Sequence, residues 1–185
     1  MNQQLEALYT EIIEKLKNHQ RPQVRLSPEL VSLIRDAWQG ALKENDESLQ
    51  NSSLKKIFCI LDNTQTTTSE LNELFIQTLK EIKNNELIVY CLAASQKHLI
   101  GDSFKTGKMI SYEFFDLLKN LIKDKNPEIK EWALRTIETL GPMSLRLKNE
   151  VLSSKPGLAK FINKHAKASQ EIIDALEREW KRMKL

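Results

Sequence analysis

Residues 114–142 read FFDLLKNLIKDKNPEIKEWALRTIETLGP, and the punctuation in the middle of this stretch decides the fold. Before it, Phe114, Leu117, Leu118, Leu121 and Ile122 recur at three- and four-residue steps, the period of one helical face. Asn126, Pro127 and Glu128 then start a second helix. The Asn side chain can cap a free amide, proline sits in the first turn where its missing donor costs nothing, and the acid lies beside the positive end of the helix dipole. Ile129, Ala133, Leu134 and Ile137 make the second apolar stripe, which Gly141 and Pro142 end. A pair of helices joined so tightly has too little interior to stand alone and must stack on a neighbour.

Outward from this hairpin, the same periodicity predicts helices throughout. Toward the N-terminus they cover about 3–18, 28–41, 46–61, 69–83, 86–100 and 108–124. Ser27 before Pro28 and Glu29 repeats the cap-proline-acid start, and Thr67 with Glu70 has capping-box spacing. The stretches 62–69 and 101–107 read as loops. The helix over 86–100 is apolar around most of its circumference, which places it near the centre. Beyond Pro142, two short helices over 143–153 and 156–165 precede a last one over 169–183, whose inner face carries Ile172, Ile173, Leu176 and Trp180.

Sliding residues 129–137 back by 42 places Leu87, Cys91 and Leu92 on Ile129, Ala133 and Leu134. Sliding back by 80 places Leu49, Ser53, Leu54 and Ile57 on Ile129, Ala133, Leu134 and Ile137. The spacings of 38 and 42 match the roughly 40-residue period of helical-hairpin repeats. With its Leu-x-x-Asp close, Asn-Pro turn, Glu-Ile-Lys-x-x-Ala-Leu second helix and Leu-Gly ending, segment 114–142 resembles the HEAT repeat of the armadillo/HEAT superfamily. That resemblance implies an all-α fold, a right-handed α-α superhelix of stacked antiparallel hairpins with about ten helices. It also implies that second helices line a concave binding face. The expected organisation is one domain over 1–185: an N-terminal capping helix in 1–26, hairpin repeats in 28–142 and basic helices in 143–185.

Composition agrees with helix and narrows function. Among 185 residues, Gly and Pro number five each, 41% are hydrophobic and 29% charged, the balance of a folded protein. No apolar run approaches the roughly 18 residues of a membrane span, and the first residues lack a secretory leader, so a cytoplasmic protein without a membrane partner is expected. The net charge is +3, with ten Lys or Arg against five Asp or Glu from Gly141 onward. This basic end can attract nucleic acid, anionic lipid or an acidic partner. Cys59 and Cys91 lie in apolar helical stretches and read as free buried thiols.

Chemistry-bearing patterns are sparse. His19, His98 and His165 have no second ligand at helical spacing, and GDSFKTG (101–107) lacks the strand and the Ser or Thr of a phosphate loop. No catalytic residue, metal or cofactor is expected, nor a small-molecule substrate. The reading is a non-enzymatic scaffold that binds a protein or peptide through second-helix positions Lys55, Tyr90, Lys97, Lys130, Trp132 and Arg135. There the 42-residue register puts Tyr90 on Trp132, and the mixed charges suit a protein better than a phosphate backbone. The alternative is nucleic-acid binding through Lys155, Lys160, Lys164, Lys167, Lys181 and Arg182, with the HEAT-like alkylpurine DNA glycosylases as the related enzyme class.

Overall fold

Ser27 Oγ accepts the amide of Leu30 and Asn126 Oδ1 accepts that of Glu128, so both cap-proline-acid starts open helices where expected. In the computed structural model, which describes residues 2–183 apart from the side chain of Lys160, every regular element is a helix. The α-helices are α1 (Gln3–Lys17), α2 (Pro28–Leu42), α3 (Glu47–Asp62), α4 (Asn72–Glu81), α5 (Asn85–Ser95), α6 (Asp102–Thr106), α7 (Tyr112–Leu121), α8 (Pro127–Thr139), α9 (Lys148–Ser153) and α10 (Lys164–Arg182). The chain divides into two compact units, residues 1–109 and 110–185.

In the first unit α2 packs on α3 and α4 on α5, while α2 also meets α4 and α3 meets α5. Two layers result, α2 with α4 and α3 with α5. Ion pairs mark the seams: Lys56 to Glu6 ties α3 to α1 at 2.7 Å, and Lys55 to Glu86 ties α3 to α5 at 2.6 Å. Ahead of α2 the chain runs beside the 62–66 turn, where Gln65 donates to the Val24 carbonyl and Leu26 to Thr66 Oγ1. The core centres on Trp38, Leu54, Ile57, Phe75, Leu87 and Leu92.

The second unit pairs α7 with α8 and lays α10 along α8. Phe114, Leu118, Ile129, Ala133, Leu134, Ile137 and Trp180 close its core. Residues 54, 92 and 134, equivalent in the 38- and 42-residue register, are all fully buried leucines. Leu49 departs from that pattern at 56% exposure, because it sits in the first turn of α3, ahead of the part its neighbours cover.

Several expected boundaries are corrected. The 101–107 loop is helical: a π-helical stretch, Gln96–Gly101, joins α5 to α6 as one continuous rod that ends at the left-handed Gly107. The Thr67–Glu70 capping box does not form, because Thr67 Oγ1 donates instead to Asp102 Oδ1 at 2.8 Å, and α4 starts only at Asn72. α7 begins at Tyr112, where Ser111 caps it. Gly141–Leu147 and Gly157–Phe161 are 3-10 turns, and α10 begins five residues early, at Lys164, on an Asn163 cap whose Oδ1 accepts from His165 and Ala166.

The π stretch drives His98 into the core, stacked on Phe75 with 6.3 Å between ring centroids. Its Nε2 lies 3.1 Å from the Leu61 carbonyl, an acceptor only, so Nε2 carries the proton. Nδ1 is buried with no partner. Burial first, then Lys97, lowers the imidazole below its ordinary 6.5, against the Leu61 hydrogen bond and the charges of Asp102 and Asp62. Well above pH 6.5 the ring is neutral in both the folded and the unfolded chain; below it the unfolded chain takes up a second ring proton first, so stability falls with pH until the folded imidazole also titrates. Thermal melts of wild type and His98→Phe between pH 8 and 5 are expected to show a steeper acid loss in wild type; parallel losses would refute the assignment.

Candidate interaction surface

The outward residues of α3 and α5 follow from helical period alone. In α3 Ser48, Ser52, Lys55, Cys59 and Asp62 lie at three- and four-residue steps, and all are exposed or half-buried. In α5 and its π extension the same holds for Glu86, Tyr90, Ala93 and Lys97. Because α3 and α5 pack side by side, these stripes form one surface on the first unit.

Glu86 organises it. Its Oε2 receives Lys55 Nζ from α3 at 2.6 Å, and its Oε1 accepts the Tyr90 hydroxyl one turn further along α5 at 2.8 Å. Hydrogen bonds from Lys55 and then Tyr90 hold this carboxyl below its usual range. The pair leaves Tyr90 40% exposed with its ring held by its hydroxyl, so it is a surface residue and not part of the core. Lys97 lies apart, its ammonium donating to the carbonyls of Asp62 and Thr64 at a polar depression that also includes Arg21 and Gln65. Burial lowers its pKa, Arg21 and Lys105 add to the effect, and Asp62 opposes it.

On the second unit, α8 carries an equivalent group. Arg135 donates twice to Glu131 Oε1, at 2.8 and 2.6 Å, and its guanidinium lies 5.7 Å from the centroid of the half-buried Trp132 ring. Glu131 is itself buried, and His165 at the start of α10 donates from Nδ1 to its other oxygen at 2.7 Å. Lys130 reaches back to the Ser154 carbonyl at 3.5 Å. Glu131 is among the mixed-sign polar positions that surround Trp132 in the sequence, whereas His165 has no part in that pattern, since a contact between residues 34 apart has no local signature.

The basic residues of the C-terminal region do not make a single-sign stripe. Along α10, Glu171, Asp174, Glu177 and Glu179 separate Lys164 and Lys167 from Lys181 and Arg182. Glu177 takes both Lys155 (3.0 Å) and Lys181 (3.1 Å), and these two lysines hold its carboxyl below the usual range. The Lys160 side chain lies outside the described residues.

Both thiols are free, Cys91 fully buried and Cys59 half-buried, and burial pushes each upward in pKa. Among the described residues no group of three His, Cys, Asp or Glu is arranged to hold a metal ion, and no helix is long and apolar enough to cross a membrane. No known family matches this chain, and neither a curated protein nor a solved structure is significantly similar to it.

Proposed function

We propose that this chain is a non-enzymatic, HEAT-like scaffold that binds another protein or peptide through the outward stripes of its second helices. The observation that carries the reading is the recurrence of a half-exposed aromatic beside a mixed-sign ion pair. Tyr90 sits with Lys55 and Glu86, and Trp132 with Arg135 and Glu131, at positions 42 residues apart. Trp, Tyr and Arg are the commonest binding anchors: the aromatic rings offer a large, stiff contact area at small entropic cost, and Arg adds a planar fork of donors. Opposite charges fixed around them give direction to a partner's own polar groups but offer no continuous track for a phosphate backbone. The second-helix packing of α3 on α5, and the shared buried leucines at 54, 92 and 134, support the HEAT-like reading.

Quantitative affinity capture tests the proposal. A Trp132→Ala, Arg135→Glu variant, and separately Tyr90→Ala, are expected to lose partners of the wild type by about 30-fold in affinity, the effect of removing one hot spot. Gln39→Ala, on the other layer, serves as the control. Identical partner sets and affinities for all variants, with far-UV circular dichroism unchanged, would remove this surface from consideration.

A further inference from the structure

Residues 151–170 form the longest stretch of the chain without an Asp or Glu, and they include four lysines. In their middle, the 3-10 turn Gly157–Phe161 and the residue after it display three large apolar side chains. Leu158 is 81% exposed, Phe161 76% and Ile162 91%. A scattered exposed apolar residue is ordinary, but three within five positions, all bare over most of their surface, are not.

The turn is also firmly mounted. Gly157, with φ of 57°, follows Pro156 and starts it, the turn packs on α10, and the Asn163 cap fixes the start of that helix. His165, held by Glu131, anchors the next turn to α8. Lys155 flanks the apolar tip on one side and Lys164 and Lys167 on the other, all three exposed.

We infer that this turn is a docking element for an anionic membrane surface, with Leu158, Phe161 and Ile162 entering the acyl boundary and the lysines resting among acidic headgroups. The shape selects this partner. A folded protein would need a cavity matched to three projecting side chains, whereas lipid tails close around any apolar tip. Of the three only Phe161 offers a ring face for a base to stack on, so nucleic acid would reward the lysines and one ring and leave Leu158 and Ile162, the most exposed of the tip, without a partner. The charge selects it too: Lys155 is held by Glu177 of α10, but Lys164 and Lys167 on the other side of the tip are exposed, and anionic lipids carry the opposite sign. Lysine stems can lie along the interface while their ammonium groups stay in water. The element lies on a membrane without spanning it, so it is compatible with the lack of a spanning helix among the described residues.

Co-sedimentation of the full chain with phosphatidylcholine vesicles, with and without phosphatidylserine, tests the inference. Binding is expected only with phosphatidylserine, weakening as salt rises. Lys164→Glu with Lys167→Glu is expected to lower it by about 25-fold or more, and Leu158→Ser with Ile162→Ser by about tenfold or more. Both pairs are exposed, so melting temperatures are expected to match the wild type. Absent binding, equal binding to both vesicle types, or unchanged binding by either variant overturns the inference. So does a dimer in sedimentation equilibrium that Leu158→Ser with Ile162→Ser abolishes, since the occupant of the tip is then a second copy of this chain.

Discussion

Trp38→Ala is expected to cost about 3–5 kcal/mol of folding stability, the range for emptying a buried indole site. Trp38 has no exposed surface, and its ring meets Phe58 of α3 and Phe75 of α4 edge-on, with centroids 5.1 and 4.9 Å away. Edge-on pairs contribute beyond their buried area, because a ring's positive rim meets its neighbour's negative face. Its Nε1 donates to Thr78 Oγ1 at 2.8 Å, and that hydroxyl donates onward to the Leu74 carbonyl. Alanine therefore leaves a cavity where three helices meet and removes a buried donor. Because a domain is stable by only about 5–15 kcal/mol, such a loss takes a large share of the total. Urea titration is the measurement: the midpoint is expected to fall with an unchanged m value. Trp38→Phe, which keeps a ring and loses only the indole donor and some volume, is expected to cost about 1–2 kcal/mol. A cost below about 1 kcal/mol for the alanine variant would show that this junction does not anchor the first unit.

Trp180→Ala is the corresponding test of the second unit, again at about 3–5 kcal/mol. Trp180 is buried near the end of α10, and its Nε1 donates to Ser144 Oγ at 2.9 Å across 36 residues. Ser144 in turn donates to the Gly141 carbonyl at 2.6 Å, so one indole holds the long C-terminal helix to the 3-10 turn that follows α8. Ser144→Ala removes the hydrogen bond and leaves the packing, and about 1–2 kcal/mol is expected. A double-mutant cycle of Trp180→Phe and Ser144→Ala isolates the bond itself, with a coupling of about 1 kcal/mol expected. If Ser144→Ala costs as much as Trp180→Ala, the packing argument for Trp180 fails.

The third tryptophan differs from both. Trp38 and Trp180 lie on apolar stripes with their N–H groups bonded inside, whereas Trp132 is half-buried under an arginine. The stripes were readable from spacing. The exposure of Tyr90 and Trp132 was not, because an aromatic at the edge of a helical face packs as readily against a neighbour as against a partner.

Local rules act over a few residues, and they carried the all-helical class, most helix positions and the cap-proline-acid starts at Ser27 and Asn126. Such signals need only a hydroxyl or amide beside its own backbone, or a stripe repeating every three to four positions. Interactions across the fold carried the rest. Asp102, 35 residues away, took the Thr67 hydroxyl from its capping box, and the π stretch that turns His98 inward passed through Gly101 with no residue to announce it. The Lys55–Glu86 and Glu131–His165 links, and the exposed tip at Leu158, Phe161 and Ile162, likewise depend on which helix lies next door and where its cover ends. A side chain's own neighbours in sequence set its backbone; its neighbours in space set whether it meets a partner, a charge or water.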